Sequence, residues 1–196
     1  MIAVWTFAAL ALGYLLGSIP FGIVLTKLFG APDPRTIGSH NIGATNVLRT
    51  GRKGLAAATL LLDALKGTVA IWIASDWGEV PAMAAAFGAF MGHLYPVWLS
   101  YKGGKGVAIY LGCLLGLNFP SALAFISVWI AVAAATRYSS AAALCACAMA
   151  VLCLFGLASP LEGWLFACLG ALLYYKHGGN IARLIAGTES KIGDKP

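Results

Sequence analysis

Long apolar stretches alternate with short polar stretches along this chain. Runs without any charged residue include residues 1–26, 81–101 and 106–136. Each is long enough to supply the about 20 residues with which an α-helix crosses the hydrocarbon core of a bilayer. The pattern therefore predicts an all-α, polytopic integral membrane protein.

Seven candidate spans follow from the pattern, and two of them are short. They are residues 2–28, 54–75, 81–99, 106–117, 120–136, 140–157 and 161–175. Residues 106–136 are divided because one helix of that length would measure about 46 Å, against a hydrocarbon core of about 30 Å. Asn118 and Pro120 supply the expected break.

Composition supports a membrane protein and excludes other classes. Hydrophobic residues make up 60% of the 196 residues and charged residues only 10%, whereas an ordinary soluble domain has about 25% charged residues. The net charge of +6 would suggest nucleic-acid binding in a soluble protein. Here the basic residues lie mainly in loops, so no nucleic acid partner is expected.

Two further patterns exclude other interpretations of the apolar runs. The five cysteines lie inside these runs without CxxC spacing, and no metal site is predicted. No Lys or Arg precedes Lys27. Residues 2–28 are therefore expected to remain as a span rather than to be removed as a signal peptide.

Loop charge predicts the orientation, because Lys and Arg concentrate on the cytoplasmic side of membrane proteins. With seven spans, an external N-terminus and a cytoplasmic C-terminus, twelve of the 13 basic residues are cytoplasmic. The charged residues on the external side are then all acidic, namely Asp76, Glu79 and Glu162. A six-span arrangement would place Arg137 and the C-terminal basic residues, including Lys195, on opposite sides.

The thirteenth basic residue, Lys66, lies inside the second span, three residues after Asp63. Residues at this spacing share a helix face, so the two side chains are expected to pair. Ionisable residues inside a membrane mark either a functional site or a structural pair. The sequence leaves both interpretations open.

Three polar segments interrupt the apolar pattern on the predicted cytoplasmic side: residues 38–53, 101–107 and 176–189 of a single transmembrane domain, 1–196. The first segment contains the string GSHNIGATNVLR. Its hydrogen-bonding residues favour a binding site and a capped, solvated helix start equally. These residues are Ser39, His40, Asn41, Thr45, Asn46 and Arg49.

The second segment, YKGGKGV, predicts an anion-binding nest. Gly103, Gly104 and Gly106 let successive backbone N–H groups converge, and Lys105 adds positive charge. A helix starting near Gly106 would add its positive N-terminal end. A flexible basic turn is the plainer alternative, and the segment does not match the GxxxxGK(S/T) pattern of nucleotide hydrolases.

The third segment, KHGGNIARLIAGTE, predicts a short helix on the membrane surface, because apolar residues recur at helical spacing over residues 181–185. His177 and Asn180 are expected to face the other two segments at one water–lipid boundary, although a lone His at such a boundary is commonly structural. Glu189 is either a base or, more commonly at such a position, the structural partner of a cation.

Five strings occur in order: GSIPFG, which is expected to break the first span at residues 17–22, GSHNIGATNVLR, DALKG at residues 63–67, GHLYP with KGGKGVA, and HGGNIARL. Together they resemble the bacterial acyl-phosphate glycerol-3-phosphate acyltransferase family, the PlsY family, over nearly the whole chain. The resemblance implies a multi-pass enzyme of the bacterial cell inner membrane with its active site facing the cytoplasm. It also implies acyl transfer from acyl phosphate to the 1-hydroxyl of sn-glycerol 3-phosphate. The products are lysophosphatidic acid and phosphate, in the first step of phospholipid synthesis.

The resemblance further implies roles for particular residues. The catalytic and phosphate-binding residues of the three family motifs correspond here to Ser39, Asn41, Arg49, Gly103, Gly104, Lys105, Gly106, His177 and Asn180. Because both substrates carry phosphate, two anion sites are expected, one at residues 103–106 and one at Arg49. Supporting roles are expected for His40, Thr45, Asn46, Asp63, Lys66 and Glu189.

The expected partners are acyl phosphate, glycerol 3-phosphate and the lipid bilayer, with functional coupling to the enzyme that makes acyl phosphate; neither a cofactor nor a metal is expected. The chain lacks the His-x-x-x-x-Asp motif of another acyltransferase class. A membrane transporter for an organic phosphate is the main alternative. Such a transporter favours a site near the midplane and internal repeats, and no convincing repeat is visible. A structural scaffold ranks third.

Overall fold

The computed structural model of the chain describes residues 1–194, so Lys195 lies outside the described part. The described residues form α-helices joined by short loops, with two turns of 3-10 helix at Pro34–Thr36 and Val97–Leu99. The α-helices are α1 (Ile2–Gly17), α2 (Phe21–Leu28), α3 (Ala44–Leu48), α4 (Lys53–Ser75), α5 (Glu79–Leu94), α6 (Val107–Leu117), α7 (Phe119–Thr136), α8 (Ser139–Leu157), α9 (Pro160–Lys176) and α10 (Gly178–Ile185). They divide into two compact units, unit one at residues 1–117 and unit two at residues 118–194.

Five helical segments of residues 1–194 are long and apolar enough to cross a membrane. They are Ile2–Leu28, Lys53–Ser75, Glu79–Leu99, Phe119–Thr136 and Ser139–Gly156, and Val107–Leu117 is a shorter apolar helix. The predicted all-α fold is confirmed, whereas the count of seven spans stays a prediction. The expected break near Asn118 is also confirmed, since the side chain of Asn118 caps α7 by accepting from the backbone N–H of Ser121 at 3.1 Å.

In unit one, α1 and α5 pack side by side and run in the same direction. A Cβ atom on Gly13 would lie 2.2 Å from the Ala85 carbonyl oxygen, and one on Gly17 would lie 2.0 Å from that of Ala89. On the facing helix, a Cβ on Gly92 would lie 2.2 Å from the carbonyl oxygen of Tyr14. Glycine at this spacing lets the two backbones approach closely, as in other membrane helix pairs.

Helices α4 and α6 also run in the same direction. Thr68 Oγ1 donates to the carbonyl oxygen of Gly112 at 2.7 Å, and the next turn of α6 places Gly116 against Ile71. A short turn at residues 76–78 joins α4 to α5, which makes these two helices antiparallel. The C-terminal ends of α1 and α5 and the N-terminal ends of α4 and α6 therefore lie at the same end of unit one. The first two polar segments lie at this end.

The opposite end of unit one carries aromatic and acidic residues. The rings of Trp5 and Trp77 lie 5.1 Å apart there, next to Asp76 and Glu79. Tryptophan favours the boundary between lipid and water, and these acidic residues are among those that the seven-span arrangement places outside. The distribution of side chains in unit one thus follows the predicted difference between its two ends.

The predicted break in the first span is confirmed, because α1 ends at Gly17 and α2 begins at Phe21. A break frees backbone carbonyls, which in lipid need donors. Trp98 Nε1 donates to the carbonyl oxygen of Ser18, and Lys66 Nζ donates to that of Ile19, each at 2.7 Å. The break is therefore completed by side chains from later parts of unit one.

In unit two, α7, α8 and α9 are joined by short connectors and alternate in direction. Arg137, between α7 and α8, donates from Nη2 to the carbonyl oxygen of Ile192 at 2.9 Å. The third polar segment therefore lies at the Arg137 end of unit two. Phe155 and Trp164 pack edge to face at the opposite end, with ring centroids 5.3 Å apart.

Candidate active site

The first polar segment folds around one buried amide, that of Asn46 in α3. Its Nδ2 atom lies within hydrogen-bonding distance of three backbone carbonyl oxygens, those of Pro34, Ile37 and Asn41. Asn46 is 2% exposed, so an unbonded amide there would cost about 1–3 kcal/mol. These bonds hold residues 34–41 against α3.

The Oδ1 atom of Asn46 binds two residues for which roles are expected. It accepts from the backbone N–H of Ser39 and from Nη1 of Arg49, each at 3.1 Å. Gly38 has a φ of 52°, and a Cβ atom there would lie 2.6 Å from the Arg49 side chain. Ser39 and Arg49 are thus brought together by the amide of one residue.

The other polar residues of the first segment make local contacts or face outwards. The Oδ1 atom of Asn41 accepts from the backbone N–H of Gly43 at 2.9 Å. The ring of His40 is exposed, and its Nδ1 atom lies 3.0 Å from the carbonyl oxygen of Arg35. Thr45 is exposed as well. The structure therefore gives Asn46 a larger part in the segment than the sequence predicted.

The second polar segment is attached to the end of α5. The backbone N–H of Gly103 donates to the Leu94 carbonyl oxygen at 3.1 Å, and that of Gly104 donates to the His93 carbonyl oxygen at 3.0 Å. These bonds satisfy carbonyls that a helix end leaves without partners. The predicted nest is wrong in this respect, because these two N–H groups bind the end of α5 rather than converging on an anion.

Lys105 and Gly106 lead directly into α6. The helix begins at Val107, which confirms the predicted start near Gly106. Gly106 has a φ of 93°, and a Cβ atom there would lie 2.6 Å from the ring of Phe90. The Lys105 charge and the N-terminal end of α6 together favour an anion at this end of the segment.

A buried polar cluster lies beside the second segment. Lys66 Nζ donates to Asp63 Oδ1 at 2.7 Å, which confirms the predicted pair, and it lies 3.0 Å from His93 Nδ1. The side chains of Lys66 and Asp63 are 3% and 2% exposed. Removing one partner of such a pair would leave a buried charge without compensation.

The third polar segment contains two buried candidate residues. His177 follows α9 as its C-terminal cap residue, and its Nδ1 atom lies 2.8 Å from the carbonyl oxygen of Leu173. A carbonyl oxygen only accepts, so Nδ1 carries a proton and the neutral ring has its lone pair on Nε2. Asn180, one turn along α10, is also buried. His177 therefore has the tautomer that a proton acceptor at Nε2 needs.

Glu189 holds the third segment together. Its Oε1 atom accepts from Asn180 Nδ2 and, at 2.7 Å, from Ser140 Oγ, while Arg183 Nε donates to Oε2 at 2.7 Å. Burial raises the pKa of the Glu189 carboxyl, but the three hydrogen bonds and the Arg183 charge outweigh burial, so the pKa lies below its ordinary value. The structure therefore favours Glu189 as the structural partner of a cation, Arg183, rather than as a base.

The predicted short helix of the third segment is confirmed as α10. Ile185, on its apolar face, is 84% exposed, whereas Ile181 and Leu184 are half-buried. An exposed apolar face on a short helix next to a span is typical of a helix at a membrane surface. Its location at that surface stays a prediction.

Two residues that contact these segments, His93 and Ser140, were not predicted as site residues. The GHLYP string included His93, but the sequence did not show its contact with Lys66. Nothing in the sequence pointed to Ser140, because its partner Glu189 lies 49 residues away. Among residues 1–194, no group of three or more His, Cys, Asp or Glu side chains is arranged to hold a metal ion. The meeting of the third segment with the other two stays a prediction.

Comparison with known proteins identifies the family. Residues 7–187 match the glycerol-3-phosphate acyltransferase family. A glycerol-3-phosphate acyltransferase of Rhodopseudomonas palustris is 61% identical over 189 residues, which cover 96% of both chains. One of Brucella anthropi is 58% identical over 187 residues, which cover 95% of this chain and 93% of the relative.

Solved structures agree with the sequence comparison. The crystal structure of PlsY, an integral membrane glycerol 3-phosphate acyltransferase, in its glycerol 3-phosphate form superposes with a TM-score of 0.91 at 36% identity, covering 96% of each chain. Its lysophosphatidic acid form gives a TM-score of 0.89, covering 96% of this chain and 95% of that one. This multi-pass chain, with its two cationic segments at one end of unit one, therefore belongs to the PlsY family of integral membrane glycerol-3-phosphate acyltransferases.

Proposed function

We propose that this acyltransferase takes its acyl group from acyl phosphate and transfers it to the 1-hydroxyl of sn-glycerol 3-phosphate, releasing lysophosphatidic acid and phosphate. This reaction is the first step of phospholipid synthesis. The observation that carries the proposal is the presence of two cationic segments, with Arg49 and Lys105, at the same end of unit one. Two such segments suit two substrates that each bear a phosphate.

The chemistry of the donor fits the residues of the segments. Acyl phosphate is a mixed anhydride with phosphate as its leaving group, so attack by a hydroxyl needs positioning and charge stabilisation more than a protein nucleophile. Arg49 supplies a planar fork that binds two phosphate oxygens at once. Lys105 supplies a point charge next to the N-terminal end of α6. Ser39 and Asn41 complete the Arg49 site.

His177 is the proposed general base. Its bond to the Leu173 carbonyl favours the tautomer with the lone pair on Nε2, which can take the proton of the attacking hydroxyl. Asn180, fixed by Glu189, donates to the developing oxyanion or orients His177. The alternative proton acceptor is the phosphate of the substrate itself.

The proposed location is the bacterial inner membrane, with the active site facing the cytoplasm. Seven spans with an external N-terminus put the basic loops inside. The parallel pairs α1 with α5 and α4 with α6 support this alternation within unit one, because the seven-span arrangement needs both. The acyl chain stays in the lipid core, and functional coupling to the enzyme that makes acyl phosphate would deliver the donor.

The donor is tested with purified protein in detergent, where no sealed membrane exists. Release of phosphate and formation of lysophosphatidic acid are measured with glycerol 3-phosphate and one of three donors: acyl phosphate, acyl-CoA or acylated carrier protein. Turnover with acyl phosphate alone is expected. Turnover only with a thioester donor would contradict the proposed donor, and no product with any donor would favour a transporter of organic phosphates.

The two anion sites are tested by Arg49→Ala and Lys105→Ala. Each is expected to raise the KM of one phosphate substrate by at least tenfold, because a charge-assisted hydrogen bond contributes about 1.5–3 kcal/mol. Arg52→Ala removes an exposed cation near the end of the same segment, after α3, and serves as the matched control. Unchanged KM values for both substrates in both variants would exclude the two-site proposal.

His177→Ala tests the base. The variant is expected to lower kcat and to remove the limb of the pH profile that reports deprotonation of the base. If turnover and its pH profile stay intact, His177 is excluded as the base.

A further inference from the structure

His93 connects the buried pair of unit one to the second polar segment. The Lys66 ammonium meets three acceptors: the Asp63 carboxylate, the carbonyl oxygen of Ile19, each at 2.7 Å, and His93 Nδ1 at 3.0 Å. A protonated amine has three N–H donors and no lone pair. With Lys66 protonated, His93 Nδ1 must therefore accept.

This assignment fixes the tautomer of His93. A neutral imidazole carries one proton, so acceptance at Nδ1 places that proton on Nε2. The Nε2 edge of the ring lies over Gly104: a Cβ atom on Gly104 would stand 2.1 Å from Nε2. One face of the cluster is thus an ion pair, and the other is the glycine backbone of the second segment.

The backbone of His93 reinforces this contact. Its carbonyl oxygen accepts from the N–H of Gly104 at 3.0 Å and would lie 2.1 Å from a Cβ on Gly103. The ring and the carbonyl of one residue therefore bound the glycine pair on two sides. Lys105 follows directly, so its position depends on where Gly104 is held.

We propose that His93 is a positioning residue, which transmits the fixed position of the buried Asp63–Lys66 pair to the glycine pair and hence to Lys105. The inference rests on the proposed role of Lys105 in binding phosphate. The buried pair thus acts as a rigid support for the active site, in addition to its contribution to the stability of the fold. His93 itself touches neither substrate.

The tautomer is tested without any assay of turnover. Side-chain nitrogen-15 NMR of the protein in detergent is expected to show His93 with a protonated Nε2 and a hydrogen-bonded, unprotonated Nδ1. The signals are assigned by their loss in His93→Gln, since the chain has three histidines. In Lys66→Met the Nδ1 signal is expected to shift. A protonated Nδ1 in the wild type would overturn the proposal.

Kinetics test the positioning. His93→Ala is expected to raise the KM of one phosphate substrate by at least tenfold and to change kcat by less than threefold. His93→Gln, whose side-chain amide places an N–H near the Nε2 position, is expected to restore that KM to within threefold of wild type. Met91→Ala, a truncation of a half-buried residue on the same helix, is the control and should leave the KM unchanged.

A second, steric test of the contact between His93 and Gly104 does not depend on the stability of His93→Ala alone. Gly104→Ala places a methyl group against the ring and is expected to raise the same KM. The double variant His93→Ala with Gly104→Ala should bind no worse than His93→Ala alone, because the methyl group occupies the space that the ring leaves. Independent, multiplying effects, or equal KM values for His93→Ala and wild type, would overturn the positioning role. Failure of acyl phosphate as donor would leave the NMR result and the KM for glycerol 3-phosphate unaffected.

Discussion

Glu189 gives the third segment a dependence on pH. Its pKa lies below the ordinary value of 4.5, because Asn180, Ser140 and Arg183 bond to the carboxylate. A lowered pKa means that the charged form stabilises the fold above the ordinary pKa and that this contribution is lost as the pH falls through the lowered value. We therefore expect the protection of α10 against hydrogen exchange to decrease once the pH is lowered below about 4.5.

Hydrogen exchange measured as protection factors, which remove the intrinsic effect of pH, checks this expectation. Glu189→Gln should be less protected at pH 7 and show a smaller loss on acidification. Glu79→Gln changes an exposed carboxylate at the start of α5 and should behave as the wild type. Equal acid sensitivity in Glu189→Gln and wild type would mean that another group controls the segment.

At the level of residues, the sequence identified polar candidates but not their rank. Asn46 appeared as one of six polar residues, although its amide arranges the loop and binds Arg49. The partners that give it this part are backbone carbonyls, which no side-chain pattern records. The same reason applies to Gly103 and Gly104, whose N–H groups were expected to face an anion but bind the end of α5.

Close packing of α1 against α5 holds the second segment at its end of unit one. Gly92→Ala would place a methyl group 2.2 Å from the Tyr14 carbonyl oxygen, so the helices must separate. Overpacking of this kind costs about 1–3 kcal/mol. We expect a lower midpoint of thermal unfolding and reduced turnover, since the end of α5 carries the residues that bind the glycine pair.

Gly54→Ala is the matched control for this prediction. Gly54 lies in the first turn of α4, and a Cβ atom there meets nothing within 4 Å. Alanine stabilises a helix relative to glycine by about 0.5–1 kcal/mol, so the midpoint should stay equal or rise. A Gly92→Ala variant as stable as wild type would show that α1 and α5 can separate at no cost.

At the level of elements, the sequence predicted most of what the structure contains. Apolar runs located the helices that carry the spans, and the GSIPFG string located the break between α1 and α2. The pairing of α1 with α5 was not predicted, because glycines read singly do not reveal which helix approaches them. The glycines of α1 and α5 reveal the pairing only once the positions of both helices in the fold are known.

The orientation of the whole chain is tested by labelling single cysteines in a background without the five native ones. Arg52→Cys, Lys102→Cys and Gly187→Cys, all at exposed positions, should react with an impermeant maleimide only after the cytoplasmic side is opened. Glu79→Cys should react from outside in intact cells. Labelling of Gly187→Cys from the side opposite to Arg52→Cys would contradict the proposed single cytoplasmic face.

At the level of the whole molecule, loop charge predicts that the polar segments share the cytoplasmic side, because basic loops are retained there, and this orientation stays a prediction. Helix directions within each unit agree with that alternation. The sequence did not predict that the residues would separate into two compact units with a boundary after Leu117. That boundary depends on which helices pack together, and uniformly apolar helices carry little information about their neighbours.

The break between α1 and α2 has a consequence for how the chain enters the bilayer during synthesis. Its carbonyls at Ser18 and Ile19 bond to Trp98 and Lys66, which the ribosome adds much later. A nascent chain that holds only the first span would expose the Ser18 carbonyl to lipid without a donor, at a cost of several kcal/mol, and the Ile19 carbonyl would keep only its bond from the backbone N–H of Phe21 at 3.2 Å. We therefore expect the first span to insert as an unbroken helix or to wait near the translocon, and to take its final shape only after α5 and Trp98 have emerged.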